Sequence, residues 1–285
     1  MINKNRFILI SAILFLLGIN SSITPQSQNV LSKDGVKIVY KVFGEGEPSL
    51  VFIHGWSCNK SYWDEQVKTF SPKYKVVTID LAGHGESGQN RKDFTPKSFS
   101  ADIAAVVNKL NLKKVIMIGH SMGGADIIEA AALLKGRVIG LIGADTFQDL
   151  TQTMSKEQAE QFLKPFRENF TQAASGFVKS MFAATSDTIL VKKVVKDISS
   201  ASPEIAINTL LNIFTYNAVP SLKKINLPII SINNDRYVIQ VKENSKYVKS
   251  FKVKIMKGIG HFIMLEDPTK FNQLLQESID ELTKQ

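Results

Sequence analysis

The short stretch GHSMGG places Ser121 between an apolar run and a helix-like segment. A serine hydroxyl attacks a carbonyl carbon once a neighbouring base has removed its proton. Glycines two residues before and two residues after the serine remove side chains that would collide across a sharp strand-to-helix corner. The spacing therefore predicts that Ser121 stands exposed on such a corner and acts as a nucleophile.

A histidine is needed to take the serine proton, and the chain contains four histidines. His54, His84 and His120 all lie within glycine-bounded loop motifs, where structural support is the expected role of the His54 side chain. His261 lies in KGIGHFIMLEDP, after the last strand-like run and before the last helix-like segment. Because parallel strands end at one edge of a sheet, this loop should open beside the serine corner. We predict that His261 is the base.

A carboxylate is needed to hold the histidine in the correct tautomer, and two aspartates fit that role. Asp235, in SINNDRYV, follows the strand-like run Pro228–Asn233 and lies between Ser121 and His261 in the chain. Asp145, in IGADTF, follows the preceding strand-like run and is an alternative that also reaches the histidine loop. We favour Asp235 as the acid.

Backbone N–H groups are expected to bind the oxyanion that forms during attack on a carbonyl. Met122 follows the nucleophile and supplies one such group, and Trp56, after FIHG, supplies the other.

The glycine-rich loop DLAGHGESG lacks the spacing of a phosphate-binding or dinucleotide-binding motif. No histidines, cysteines and carboxylates have metal-ligand spacing. We therefore predict no metal.

Short apolar runs alternate with amphipathic, helix-like segments along most of the chain. Continuous apolar runs are typical of strands buried on both faces, whereas the first run alternates with period two, as an antiparallel strand would. The alternation predicts an α/β fold, with a mostly parallel sheet covered by helices on both faces. The strand-like runs are Val36–Gly44, Ser49–Gly55, Lys75–Asp80, Lys114–Gly119, Val138–Ala144, Pro228–Asn233 and Phe251–Met256.

A long stretch without strand-like runs interrupts this alternation. It contains helix-like sequences such as KEQAEQFLKPFRENF and PEIAINTLLNIF, and it is far longer than an ordinary connection between strands. We predict a core formed by residues 30–146 and 227–285, with a helical cap inserted at 147–226 over the C-terminal edge of the sheet.

The N-terminal segment has the pattern of a secretory signal peptide. Lys4 and Arg6 precede the apolar segment Phe7–Ile19, and polar residues follow. An apolar segment of that length is shorter than the roughly 20 residues that cross a bilayer. We predict a signal peptide at 1–24 and export to the periplasm or outside the cell, with no membrane span after its removal.

The amino-acid composition and the distribution of charge argue against nucleic acid as a binding partner. The chain has 35 basic and 26 acidic residues, a net charge of +9, but its lysines are scattered singly or in pairs. There is no basic stripe interleaved with aromatic residues, so we expect no nucleic-acid partner. Cys58 is the only cysteine, which excludes an intrachain disulfide.

Four motifs in this order resemble the α/β-hydrolase superfamily over nearly all of the chain after the leader: FIHGW, DLAGHGESG, GHSMGG and GIGHF with LEDP behind it. The resemblance implies an eight-stranded, mostly parallel sheet with a helical cap inserted after the sixth strand, and no cofactor. It also implies a catalytic triad of Ser121, Asp235 and His261. Dehalogenases and epoxide hydrolases of the superfamily carry aspartate where this chain has Ser121, so their chemistry is excluded.

These features predict a serine hydrolase that cleaves a small-molecule carboxylic ester through an acyl-enzyme. Carbon–carbon bond hydrolysis and acyl transfer are alternatives, because both use the same triad on the same fold. A binding module that kept the fold without activity is an alternative from a different class. Five phenylalanines of the predicted cap favour an apolar acyl or aromatic group, although packing explains most of them: Phe162, Phe166, Phe170, Phe177 and Phe182.

Overall fold

A computed structural model of the protein describes residues 26–284, so the predicted signal peptide at 1–24 lies outside the described residues. Eight strands form a single sheet. Their bounds are β1 Gln28–Leu31, β2 Lys37–Phe43, β3 Ser49–Ile53, β4 Val76–Asp80, β5 Val115–His120, β6 Val138–Ala144, β7 Pro228–Asn234 and β8 Ser250–Met256.

The sheet is mostly parallel, with the strand order β1-β2-β4-β3-β5-β6-β7-β8. Among the described strands, β2 alone runs opposite to the other seven, because it pairs antiparallel with both β1 and β4. Strands β3, β4, β5 and β7 are buried along their whole length, which is why each reads as a continuous apolar run. The prediction of an α/β fold with a mostly parallel eight-stranded sheet is confirmed.

Helices cover the sheet, and they begin where the sequence provides caps. For example, α2 begins at Pro96 behind a capping box formed by Thr95 and Ser98. A short 3₁₀ helix, Lys60–Trp63, precedes α1. The helices of the core are α1 Asp64–Phe70, α2 Pro96–Lys109, α3 Met122–Leu133, α9 Val241–Asn244, α10 Ile263–Glu266 and α11 Pro268–Thr283. No helix within residues 26–284 is long and apolar enough to cross a membrane.

The chain between β6 and β7 forms five helices, which we call the helical insertion. Their apolar residues recur on one face and are buried, as in α4, where Ala159, Leu163 and Phe166 are buried while most of the helix surface is polar. The helices are α4 Lys156–Glu168, α5 Phe170–Met181, α6 Thr188–Ser199, α7 Pro203–Phe214 and α8 Val219–Leu222. This segment lies within the range predicted to be a helical cap.

Three adjacent strands end side by side at the C-terminal edge of the sheet. His120 at the end of β5 pairs with Ala144 at the end of β6, and Ala144 pairs with Ile232 of β7. The residues that follow are also joined, since the Ser121 N–H donates to the Ala144 carbonyl at 3.1 Å and the Asp145 N–H donates to the Ile232 carbonyl at 2.8 Å. The sheet register therefore holds Ser121 and Asp145 next to one another.

Candidate active site

Ser121 occupies a strained corner between β5 and α3. Its backbone has φ 52° and ψ −116°, a region that residues with a side chain rarely adopt. A Cβ at Gly119 would lie 2.4 Å from the carbonyl oxygen of Gly123, and a Cβ at Gly123 would lie 2.8 Å from the carbonyl oxygens of Ile53 and His54. The two glycines are therefore required by the close approach of β3, β5 and α3 around Ser121.

We expect Gly119→Ala to destabilise the protein by about 1–3 kcal/mol, because the added methyl group meets rigid backbone atoms. Gly176→Ala is the matched control, since a Cβ at Gly176 in α5 meets nothing within 4 Å. That substitution should instead stabilise the protein by up to about 1 kcal/mol through helix propensity. Urea denaturation measures both changes, and equal effects at the two glycines would contradict the steric explanation.

His261 lies between β8 and α10 and is bonded to a buried carboxylate. Its Nδ1 is 2.5 Å from Oδ2 of Asp145, whose side chain has no exposed surface, while 18% of the His261 side chain remains exposed. With Asp145 ionised, Nδ1–H donates to the carboxylate and Nε2 remains free to accept a proton. This is the arrangement that a general base requires.

Asp145 is oriented by a second residue from the neighbouring strand. The Asn234 backbone N–H donates to Oδ1 at 3.0 Å, and the Asn234 amide Nδ2 donates to Oδ2 at 2.9 Å. The same Nδ2 also donates to the carbonyl of Gly260, directly before His261, at 3.1 Å. Asn234 thus joins the carboxylate to the histidine loop. No role was predicted for Asn234, because the strand-like run in the sequence ends one residue earlier, at Asn233.

The side chain bonded to His261 is that of Asp145, the alternative acid, and not that of Asp235, the favoured one. Strand β7 continues to Asn234, one residue beyond the predicted run, and Asn234 fills the position beside Asp145. Asp235 follows the end of the strand and is exposed, and its Oδ1 accepts from the Gly258 N–H at 3.1 Å. Its carboxylate therefore bonds the loop after β8 and not His261.

His120, which precedes the serine, holds the backbone of His261. Its Nε2 lies 3.1 Å from the His261 carbonyl oxygen, and the two rings are 4.7 Å apart. Burial, reinforced by the nearby His261, holds the pKa of His120 well below its usual value. A neutral His120 that donates from Nε2 has a positioning role.

The other two histidines are structural. His54 accepts the Leu81 N–H at 3.1 Å, and its Nδ1 bonds the Gly55 carbonyl at 2.8 Å. Burial lowers the pKa of His54 to about 4 and that of His84 to about 3, so both stay neutral near neutral pH. Both residues are buried, and neither lines the cavity that contains Ser121.

The glycine-rich loop DLAGHGESG is folded around a buried aspartate. Asp80 accepts from the Lys60 N–H at 2.7 Å, from Lys60 Nζ at 2.6 Å and from the Glu86 N–H at 2.9 Å. A Cβ at Gly85 would lie 2.3 Å from the Asp80 carboxyl carbon, so the turn requires glycine. The loop is a support for the neighbouring strand ends. Within residues 26–284, no cluster of three or more metal-ligating side chains is positioned to hold a metal ion.

Trp56 and Met122, the predicted oxyanion donors, line the same cavity as Ser121. Met122 is the first residue of α3, where helix N–H groups have no acceptor within the helix. The Trp56 indole N–H donates to the Ala206 carbonyl of α7 at 2.9 Å. The Trp56 side chain therefore ties the insertion to the loop after β3.

The cavity has a volume of about 790 Å³ and lies between the sheet edge and the helical insertion. Ser121 and His261 both line it, together with apolar residues of α3 and α7. Among the five phenylalanines noted in the sequence, Phe177 lines the cavity. The others pack elsewhere: Phe166 and Phe170 lie against Trp56, Phe162 lies against Phe166, and Phe182 stacks on Phe262.

Comparisons with known proteins agree with this architecture. A non-heme haloperoxidase from Rhodococcus erythropolis is 38% identical over 104 residues, which span 36% of this chain and 38% of that enzyme. The karrikin insensitive 2 receptor IA of Petunia hybrida is 24% identical and is aligned over 81% of this chain and 90% of the receptor. An esterase from Exiguobacterium antarcticum superposes with a TM-score of 0.80 at 20% identity, covering 90% of this chain and all of that one.

The comparison with protein families matches residues 48–268, a range that contains β3, the serine corner, the helical insertion and the histidine loop. The matching family is described by its alpha/beta hydrolase fold. The chain therefore belongs to the alpha/beta hydrolase fold family.

Proposed function

We propose that the protein is a serine hydrolase that cleaves small-molecule carboxylic esters through an acyl-enzyme intermediate. One observation carries the proposal. Ser121, on its strained corner, lines the same cavity as His261, and the ring of His261 is bonded to the buried carboxylate of Asp145. Nucleophile, base and orienting acid are the groups that acyl transfer to water requires.

In the proposed reaction, the Ser121 hydroxyl attacks the ester carbonyl while Nε2 of His261 takes its proton. The tetrahedral oxyanion collapses, the alcohol leaves with the proton held by His261, and the acyl group remains on Ser121. A water molecule then attacks the acyl-enzyme, again losing a proton to His261. The acid product leaves and the serine recovers its proton. Asp145 stabilises the imidazolium in both halves and keeps Nδ1 as the protonated nitrogen.

The oxyanion is proposed to bind the backbone N–H groups of Met122 and Trp56. Support comes from Met122 at the start of α3, because the positive end of a helix dipole favours negative charge. Gly55 lies directly before Trp56, and a Cβ there would lie 2.7 Å from Nδ1 of His120, so that backbone is packed closely against β5. Rigid donors of this kind stabilise the transition state without reorganising.

The cavity lining supports an uncharged substrate with an apolar group. Ala125, Ile128, Leu210, Ile213 and Phe214 form an apolar wall. Arg236 also lines the cavity, but its guanidinium already donates to the carbonyls of residues 180 and 181 at 3.1 and 2.8 Å. A substrate carboxylate would have to compete for that guanidinium, whereas an apolar acyl group meets a matching surface.

Hydrolysis of p-nitrophenyl esters from acetate to palmitate tests the proposal, with Ser121→Ala as the background control. Labelling by a fluorophosphonate, with the modified peptide identified by mass spectrometry, tests the nucleophile separately. Labelling of Ser121 without hydrolysis of any ester would favour carbon–carbon bond hydrolysis or acyl transfer. A folded protein that neither hydrolyses esters nor takes the label would favour a binding module and end the proposal.

We expect Ala125→Leu to shorten the preferred acyl chain. Ala125 lies one turn after Ser121 on α3 and lines the apolar wall, so a larger side chain there removes cavity volume. Activity toward the longest accepted ester should fall at least 10-fold relative to acetate, which is the internal control, because filling a hydrophobic pocket discriminates by about 1–3 kcal/mol. An unchanged chain-length profile would contradict placement of the acyl group against α3.

A further inference from the structure

The loop that carries His261 is held on both sides by one carboxylate. Oε2 of Glu266 accepts the Gly260 N–H at 3.0 Å, and Oε1 accepts the Phe262 N–H at 3.2 Å. Each oxygen thus bonds the backbone immediately before or immediately after the histidine. A hydrogen bond to an ionised carboxylate is roughly twice as strong as one between neutral groups. This pair of bonds, which we call the Glu266 cradle, therefore limits the position of His261.

Glu266 also contacts the helical insertion. Its Oε2 accepts a short hydrogen bond from the Ser186 hydroxyl, which lies in the loop between α5 and α6. One carboxylate therefore joins two chain segments: the histidine loop, on both sides of His261, and the helical insertion.

Further contacts join the same two segments. The His261 N–H donates to the Met181 carbonyl at the end of α5 at 2.8 Å. Phe182 stacks on Phe262 with ring centroids 4.9 Å apart and planes inclined by 22°. A Cβ at Gly260 would lie 2.5 Å from the Met181 carbonyl oxygen. The insertion thus lies directly against the backbone of His261.

We propose that Glu266 is a positioning residue for His261, and that Ser186 is the contact through which it ties the histidine to the helical insertion. The inference rests on the proposed function, in which His261 moves a proton between Ser121 and the substrate. A base is effective only within hydrogen-bond reach of the proton it takes. Small displacements of a reacting group lower the rate strongly even when substrate binding is unchanged.

Glu266→Gln is the informative substitution, because glutamine has the same shape but only one acceptor oxygen. Its NH₂ group would face a backbone N–H donor, so one side of the cradle is lost. We expect kcat for ester hydrolysis to fall about 10- to 100-fold with KM changed less than about 2-fold. Glu266→Asp, which keeps both acceptors on a shorter side chain, should recover part of kcat.

Glu277→Gln is the matched control. Glu277 lies on α11 and pairs with Lys254 Nζ at 3.1 Å, away from the histidine loop. It should leave kcat within about 2-fold, as expected for a surface charge pair. Equal kcat values for wild type, Glu266→Gln and Glu277→Gln would overturn the proposal. So would a loss in Glu266→Gln that Glu266→Asp fails to recover in any part.

Ser186→Ala tests the link to the insertion. If Ser186 acts through Glu266, the double variant Ser186→Ala/Glu266→Gln should be no slower than Glu266→Gln alone, since both changes break the same network. Fully multiplied effects of the two substitutions would contradict this part of the proposal.

A readout that does not require turnover separates this inference from the proposed function. The His261 Nδ1–H proton, bonded to Asp145, is expected to give a far-downfield NMR signal, which can be assigned by its loss in Asp145→Asn. We expect this signal to shift and exchange faster with solvent in Glu266→Gln but not in Glu277→Gln. That result in a protein without esterase activity would sustain the positioning role while the proposed function fails. An unchanged signal in Glu266→Gln, with the wild type hydrolysing esters, would overturn the positioning role alone.

Discussion

Asp145→Asn is expected to lower kcat for ester hydrolysis about 10⁴-fold, the loss typical of removing the carboxylate that orients a catalytic histidine. In the folded protein, three donors converge on this carboxylate: Nδ1 of His261 and the backbone N–H and side-chain amide of Asn234. Asparagine has a single acceptor oxygen and brings two donors of its own. Its amide would favour the tautomer of His261 in which Nε2 carries the proton and cannot act as a base.

Asp235→Asn is the control that the sequence itself provides. Asp235 is exposed and bonds only the Gly258 N–H among the described residues, so its loss should change kcat less than about 3-fold. Steady-state kinetics on one p-nitrophenyl ester, with circular dichroism to verify folding, decide between the two aspartates. A large loss in Asp235→Asn together with an active Asp145→Asn would reinstate the acid favoured from the sequence.

Asp126 is expected to make the stability of the protein depend strongly on pH. This residue lies on α3, is completely buried, and neither of its carboxylate oxygens has a hydrogen-bond partner among the described residues. Burial, with the negative charges of Asp102 and Glu129 nearby, raises the pKa of Asp126 well above its usual value. The folded protein therefore keeps Asp126 protonated to a higher pH than the unfolded chain does.

The direction in which stability changes with pH follows from the numbers of protons bound by the folded and unfolded states. In the unfolded chain, Asp126 ionises near the ordinary aspartate pKa of about 3.9, whereas in the folded protein it stays protonated to a higher pH. Between these two pKa values the folded state binds more protons than the unfolded state. The contribution of Asp126 to the free energy of unfolding is complete below the unfolded pKa and falls by up to about 1.4 kcal/mol per pH unit between the unfolded and the folded pKa.

Asp126→Asn removes this titration while keeping the size of the side chain. We expect the variant to be more stable than the wild type at neutral pH, with a difference in free energy of unfolding that widens as pH rises and narrows toward pH 4. Urea denaturation at pH 5, 6 and 7 measures the difference, and Asp93→Asn, at an exposed aspartate, is the control for loss of charge. Parallel stability curves for wild type and Asp126→Asn would contradict a raised pKa.

Local sequence patterns were sufficient for most of the sheet. The runs that became β2 through β8 are buried on one or both faces, so their hydrophobicity was visible without a structure. Strand β1, Gln28–Leu31, was missed because it is short, largely exposed, and paired only with β2 at the edge of the sheet. Its strand conformation comes from hydrogen bonding to a neighbour, which hydrophobic periodicity does not reveal.

The sequence by itself determined the corner that holds Ser121 and the loop that carries His261. Both follow from local rules: glycine where backbones approach closely, and loops that open at the carboxyl edge of parallel strands. Only the tertiary structure decided which aspartate bonds His261, because Asp145 and Asp235 each follow a strand and each lie between Ser121 and His261 in the chain. The choice depended on β7 ending at Asn234, whose amide bonds Asp145 and leaves Asp235 beyond the strand in solvent.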